Sequence, residues 1–251
     1  MTQVILTGRS GGTTHREIEL LAKLPPELRL IGGLAVMCRV GTPHRTTMDV
    51  DAVARDLPRV HDAVARLAVT SVAGGQYQFA DHLALDVIDV APTSSQELAD
   101  HLEATGPLSD LELNVVAHTW AHDTATPVDI AAVDEAGGAV LASAPARLVA
   151  SSTGLVAMKA TTVSLRASSK PEKRASDLYD LGRLLVAGSV EPAEVAQLPA
   201  VLRLAVLERL HGWFVTDAGR DRTYREVRRF DEPRLDLDEA GDAVEDLASA
   251  V

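Results

Sequence analysis

Residues 30–51 read LIGGLAVMCRVGTPHRTTMDVD, and this stretch limits the possible folds more than any other. Leu28, Leu30 and Ile31 form a short apolar run that meets Gly32 and Gly33, after which Leu34, Ala35, Met37 and Cys38 suit a buried helix ending near Gly41. From Thr46 to Val53 the residues alternate, with Thr47, Asp49 and Asp51 set against Met48, Val50 and Ala52. That is the two-residue period of a strand with one polar face. The order strand, glycine turn, helix, strand predicts an α/β core. Paired glycines remove side chains where a strand turns into a helix, leaving backbone N–H groups and the helix N-terminus for phosphate oxygens. Asp49 and Asp51, two apart, point to one face. Two such carboxylates repel unless a cation lies between them, and oxygen-only ligands select Mg²⁺ or Mn²⁺ over zinc. Singly, a Gly-Gly turn is an ordinary structural device and an Asp-x-Asp strand an ordinary solvated edge. Together, with Asp-x-Asp about sixteen residues after the glycines, they point to metal-assisted nucleotidyl transfer.

Around this stretch the chain reads as an α/β domain over 13–147 and a helical module with an acidic tail over 148–251. Residues 1–12 end in Gly8, Arg9, Ser10, Gly11 and Gly12, lack the Gly-Lys-Ser/Thr ending of a P-loop, and read as a flexible leader. Thr14 and Glu17 have capping-box spacing before an apolar stripe of Ile18, Leu20, Leu21 and Leu24, and Pro25 and Pro26 stop that helix. Pro58 to Leu67 and Ser95 to Glu103 are expected helices. Gln76 to Ala80, Leu83 to Val90, Val128 to Val133 and Ala139 to Leu141 are expected strands. Three helices are expected near 152–167, 175–187 and 192–213.

Composition narrows the function classes. The 251 residues are 46% hydrophobic, with no uninterrupted apolar run of 18 and no secretion-signal pattern at the start, so a cytoplasmic protein without a membrane partner is expected. The single cysteine, Cys38, allows no internal disulfide and no cysteine-based zinc cluster. A net charge of -12 and only two Trp, three Tyr and three Phe argue against a dedicated nucleic-acid coat protein and give no expectation of DNA binding. The charge is segregated, however. Residues 231–247 hold eight acids against Arg234, a net -7, and residues 1–230 carry -5. Basic clusters lie at Arg166, Lys170, Lys173 and Arg174 and again at Arg220, Arg222, Arg225, Arg228 and Arg229. Each is a solvated helix face or a surface that meets phosphates or the acidic tail.

The glycine pair followed by Asp-x-Asp resembles the DNA polymerase β-type nucleotidyltransferase superfamily, whose signature adds a third acid on a later strand. Within it, the chain resembles the AbiEii-type (MenT-like) toxins of bacterial toxin–antitoxin systems over residues 15–190. The narrower likeness rests on Lys159 in LVAMKATTVSLR and on Asp177 and Asp180 in SDLYDL. It implies a polymerase β-like core with a mixed sheet followed by a C-terminal helical module. It also implies a two-metal mechanism using a nucleoside triphosphate (NTP), Mg²⁺ or Mn²⁺, and an RNA acceptor, the tRNA 3′ end, with translation halted and a cognate antitoxin as partner.

The third acid is expected at Asp86 or Asp89 in HLALDVIDVAP; three apart on a strand, they face opposite sides. Asp86 stands within Leu83, Leu85, Val87 and Ile88, the hydrophobic-Asp-hydrophobic setting of the family, so the resemblance assigns metal binding to Asp49, Asp51 and Asp86. The nucleotide falls to Gly32, Gly33, Arg45, Thr47, Lys159, Arg166 and Asp180. Lys159 shares a helix face with Leu155 and Val163, where a lysine stem can simply snorkel. The family makes it the cation on the triphosphate and a catalytic residue together with Asp177. Asp177 and Asp180, at i and i+3, can orient Lys159, bind the nucleotide, or pair with Arg183. Arg166 lies seven residues beyond Lys159 on the same face, and Ser176 departs from the basic residue the family often has there. Thr47 shares the strand face of the metal acids, and in the family this position contacts phosphate and is phosphorylated by the antitoxin in some members.

His118 and His122 have a zinc-like interval but no following Glu and no third ligand. Ser151 and Ser152 read as caps. Two rival functions stand beside RNA nucleotidylation: transfer to a small molecule or protein hydroxyl, and a degenerate transferase fold that only binds a partner. Intact Asp49, Asp51, Asp86 and Lys159 count against the second.

Overall fold

The computed structural model describes residues 2–43, 49–72, 74–166, 170–230 and 233–251. They form two compact units, Met1–Pro92 with Thr124–Ser151, and Thr93–Asp123 with Ser152–Val251. The first contains β1 (Thr2–Gly8), α1 (Thr13–Lys23), β2 (Arg29–Ile31), α2 (Gly32–Val40), β3 (Asp49–Ala54), α3 (Leu57–Ala65), β4 (Thr70–Val72), β5 (Gln76–Gln78), β6 (Ala84–Asp89), β7 (Thr126–Asp134) and β8 (Val140–Val149). Among the described residues these strands make one mixed eight-stranded sheet in the order β1-β7-β8-β2-β3-β6-β5-β4, the α/β class that the glycine turn and Asp-x-Asp strand predict.

The expected flexible leader is instead the edge strand β1, parallel to β7. Its alternation explains the difference: Val4 and Leu6 are buried while Gln3, Ile5 and Thr7 are exposed, and Glu135 N–H donates to Gly8 O at 2.9 Å. The expected capping box of α1 is also absent. The helix begins at Thr13 behind Gly12, which places Thr14 inside it, and Glu17 is buried. Arg147 donates to the carbonyls of Leu24 (3.0 Å) and Pro25 (2.8 Å), closing the end of α1. Helix α2 ends at Gly41 in the left-handed region, φ 82°. Arg39 ties it to the sheet by donating to Ala150 O at 2.8 Å, Val149 O at 2.6 Å and Thr126 Oγ1 at 2.7 Å.

The second unit is helical: α4 (Ser95–Glu103), α5 (Asp110–Asp123), α6 (Ser152–Leu165), α7 (Pro171–Val186), α8 (Pro192–Val195), α9 (Ala200–Phe214), α10 (Asp217–Val227) and α11 (Leu237–Ala250). Helix α4 carries a complete Ser94/Glu97 capping box. Helix α5 escapes periodicity because it buries polar and apolar residues together, His118, Thr119 and His122 with Leu113, Val116 and Ala117. The helix expected over 192–213 is divided at Pro199, which precedes α9. The acidic tail contains α11, whose Ala240, Val244 and Leu247 are buried. Among the described residues no helix is long and apolar enough to cross a membrane.

Candidate active site

Strands β3 and β6 run parallel, with Asp51 paired to Asp86 and Asp49 to Ala84. Burial shows the faces: Val50, Ala52, Leu85 and Val87 are buried, and Asp49, Asp51 and Asp86 are half-buried between them. The three acids therefore share one face of two adjacent strands about 4.8 Å apart. Asp89 lies on the opposite face, where its Oδ1 accepts from Leu57 N–H at 3.0 Å and caps α3.

On the other side of β3, Ile31 pairs with Asp51, so the glycine turn arrives beside that carboxylate. Gly32 has φ +70°, and a Cβ there would stand 2.0 Å from Asp51 Oδ2. Both reasons require glycine. The first turn of α2 thus starts against Asp51; its leading N–H groups have no partner within the helix, and its positive dipole end favours anions. Asp49 and Asp51 each already have a polar or electrostatic partner. Among the described residues no group of three or more Asp, Glu, His or Cys side chains is gathered closely enough to hold an ion. The donor chemistry fits a hard divalent cation, because the register supplies oxygen ligands alone. Arg45 and Thr47 lie outside the described residues.

In the helical unit, Lys159 on α6 is buried between two carboxylates of α7. Its Nζ is 2.9 Å from Asp177 Oδ1 and 2.8 Å from Asp180 Oδ2. Arg166, one residue past α6, pairs with the other Asp177 oxygen. Spacing i, i+3 on α7 and seven residues along α6 brings the four together. Two cations and two anions balance, and removing one partner from such a buried set typically costs about 3–5 kcal/mol. Arg166 is the open member, its side chain 33% exposed.

A polar layer on α5 borders this cluster. Asn114 donates to Thr161 Oγ1 and Thr162 Oγ1, both at 3.0 Å, and its carbonyl lies 2.7 Å from His118 Nδ1. Burial pushes the His118 pKa below its ordinary value; the hydrogen bond to Asn114 opposes this and Arg166 adds to it. With the imidazole neutral, Nδ1–H is the donor to that carbonyl. His122, which shares a zinc-like interval with His118 in the sequence, has its Nδ1 3.2 Å from Asp123 Oδ1. The signal in the sequence is the i, i+4 spacing of Asn114 and His118, which sets both on one side of α5.

No curated protein matches the chain. An antigenic nucleotidyltransferase-like protein from Paracoccidioides brasiliensis, known from a crystal structure, is similar at 18% identity and a TM-score of 0.47, covering 88% of this chain and 94% of that one. The family described as Nucleotidyl transferase AbiEii toxin, Type IV TA system, matches residues 19–250. With nearly the whole length matched, the chain belongs to the AbiEii nucleotidyltransferase toxin family of type IV toxin–antitoxin systems.

Proposed function

We propose that this nucleotidyltransferase moves a nucleotide from an NTP to an RNA acceptor, the 3′ end of tRNA, and so blocks translation, with a cognate antitoxin restraining it. The observation that carries the reading is the alignment of Asp49, Asp51 and Asp86 on one face, with Gly32 pressed against Asp51. A bound divalent cation, Mg²⁺ or Mn²⁺, supplies charge neutralisation at the phosphates and activation of the acceptor hydroxyl. Asp49, Asp51 and Asp86 would hold it through their carboxylate oxygens. The N–H groups at Gly32 and Gly33, residues with no side chain of their own, receive phosphate oxygens. Lys159, Asp177, Asp180 and Arg166 are the cluster that the family likeness assigns to the nucleotide. Within that cluster Lys159 orients both carboxylates, and Arg166 is the partly exposed cation. Arg45 and Thr47 complete the phosphate contacts, and phosphorylation of Thr47 by the antitoxin adds about two negative charges there and shuts the site.

The test uses purified protein, Mg²⁺, each labelled NTP in turn, and total tRNA. Wild type labels the RNA, and Asp49→Ala lowers the rate by at least about a hundredfold, the worth of about 3 kcal/mol at the transition state. An absence of RNA label with every NTP overturns the acceptor. Equal labelling by Asp49→Ala overturns the metal assignment.

A further inference from the structure

Past Asp86 the sheet continues into β5 and β4. Strand β5 is antiparallel to β6, with Gln76 opposite Asp86 and Gln78 opposite Ala84. Val87 N–H donates to Gly75 O at 2.8 Å, so residues 87 and 75 are a hydrogen-bonded pair. Because antiparallel ladders alternate, Asp86 and Gln76 form the other kind of pair, with Cα atoms about 4.5 Å apart and side chains at their closest. Tyr77 between the two glutamines is fully buried, and its hydroxyl lies 2.8 Å from His61 Nδ1, which fixes the face that β5 turns outward. Gln76 and Gln78 are exposed on the acid face. One row across the strands therefore reads Asp51, Asp86, Gln76, and the next reads Asp49, Ala84, Gln78.

We propose that Gln76 and Gln78 bind the acceptor, a ribonucleotide end with free hydroxyls. This rests on the nucleotidyl transfer to RNA proposed above. Position is the first argument: in the row across the sheet Gln76 stands next to Asp86 on the side away from Asp51 and the glycine turn, so donor phosphates at Gly32 and an acceptor at β5 flank the acids from opposite sides. Chemistry is the second. A carboxamide has both a donor and an acceptor, so it can pair with ribose hydroxyls and base edges. Being neutral, it neither competes with the carboxylates for a cation nor draws the triphosphate. Shape is the third, since Ala84 keeps the floor low between Asp49, Asp86 and Gln78.

Gln76→Ala and Gln78→Ala, singly and together, test this in the full chain, with Gln3→Ala on the opposite sheet edge as control. Transfer to total tRNA is measured first with RNA varied and then with NTP varied. Binding of a fluorescein-labelled oligoribonucleotide with a free 3′ hydroxyl is measured by anisotropy in EDTA. KM and Kd for RNA are expected to rise roughly tenfold in each single variant, the loss of about one hydrogen bond, while kcat, KM for NTP and the Gln3→Ala values stay within about twofold. Gln76→Glu, which loses the donor and adds charge beside Asp86, is expected to bind RNA more weakly still. Unchanged RNA affinity in the double variant overturns the inference and leaves the transfer reaction standing. A KM for NTP that rises in step overturns it too, by moving the glutamines to the donor side. Should wild type transfer nothing to RNA, the function proposed above fails, and equal RNA binding by wild type and double variant then overturns the inference separately.

Discussion

At the scale of single residues, Gly32 and His118 make the sharpest claims. Gly32→Ala forces a left-handed backbone on an L side chain and drives its Cβ into Asp51. The expected outcome is a folded protein destabilised by about 1–3 kcal/mol whose transferase rate falls toward that of Asp49→Ala, read by urea unfolding and RNA labelling. His118 is held below its ordinary pKa of 6.5 by burial first and Arg166 further. The unfolded chain then takes up a proton that the folded chain refuses. Its stabilising contribution is complete above about pH 6.5 and declines as pH falls through that value toward the folded pKa. Replacing it by glutamine is expected to flatten the fall of unfolding free energy between pH 6.5 and 5 by up to about 1.4 kcal/mol per pH unit. An identical slope in both proteins would mean that His118 is free to charge in the fold.

At the scale of elements, β1 and β6 separate what is local from what is not. The alternation in TQVILTG is local, but the glycines that follow it give the segment the composition of a leader, and the partner that makes it an edge strand lies more than a hundred residues away. Leu6 is fully buried and Ile5 is 52% exposed. Leu6→Ala is therefore expected to lower the unfolding free energy by about 2–5 kcal/mol and Ile5→Ala by under about 1 kcal/mol, measured by denaturant titration. Equal small losses would mean that β1 does not belong to the sheet. For β6, two-residue periodicity already separated Asp86 from Asp89. The pairing of Asp86 with Asp51, and the capping of α3 by Asp89, required the register.

At the scale of the whole molecule, the net charge of -12 is partly engaged within the fold. Arg220 pairs with Asp238, Arg174 with Glu226 and Arg166 with Asp177, and Asp236 caps α11 by accepting from the N–H groups of Asp238 and Glu239. The net negative charge of the molecule opposes strong contact with phosphates. RNA association is thus expected to depend only mildly on salt, with a log–log slope of about -1 to -2 for two or three phosphate contacts, measured by anisotropy between 50 and 300 mM KCl. A slope of about -5 or steeper would reveal a basic surface that these pairs do not predict.

The sequence by itself determined the order strand, glycine turn, helix, strand, the shared face of Asp49 and Asp51, and the helical spacing of Lys159, Arg166, Asp177 and Asp180. Each follows from backbone periodicity within one or two elements, which needs no knowledge of neighbours. The tertiary structure alone decided that Asp86 stands beside Asp51, that Gly32 leaves Asp51 no room for a methyl group, and that Lys159 is buried between two carboxylates. It also decided that residues 93–123 pack with the C-terminal helices in one unit. Those outcomes depend on which distant segments meet and in what register, and register is chosen by the burial of whole faces rather than by any local run of residues.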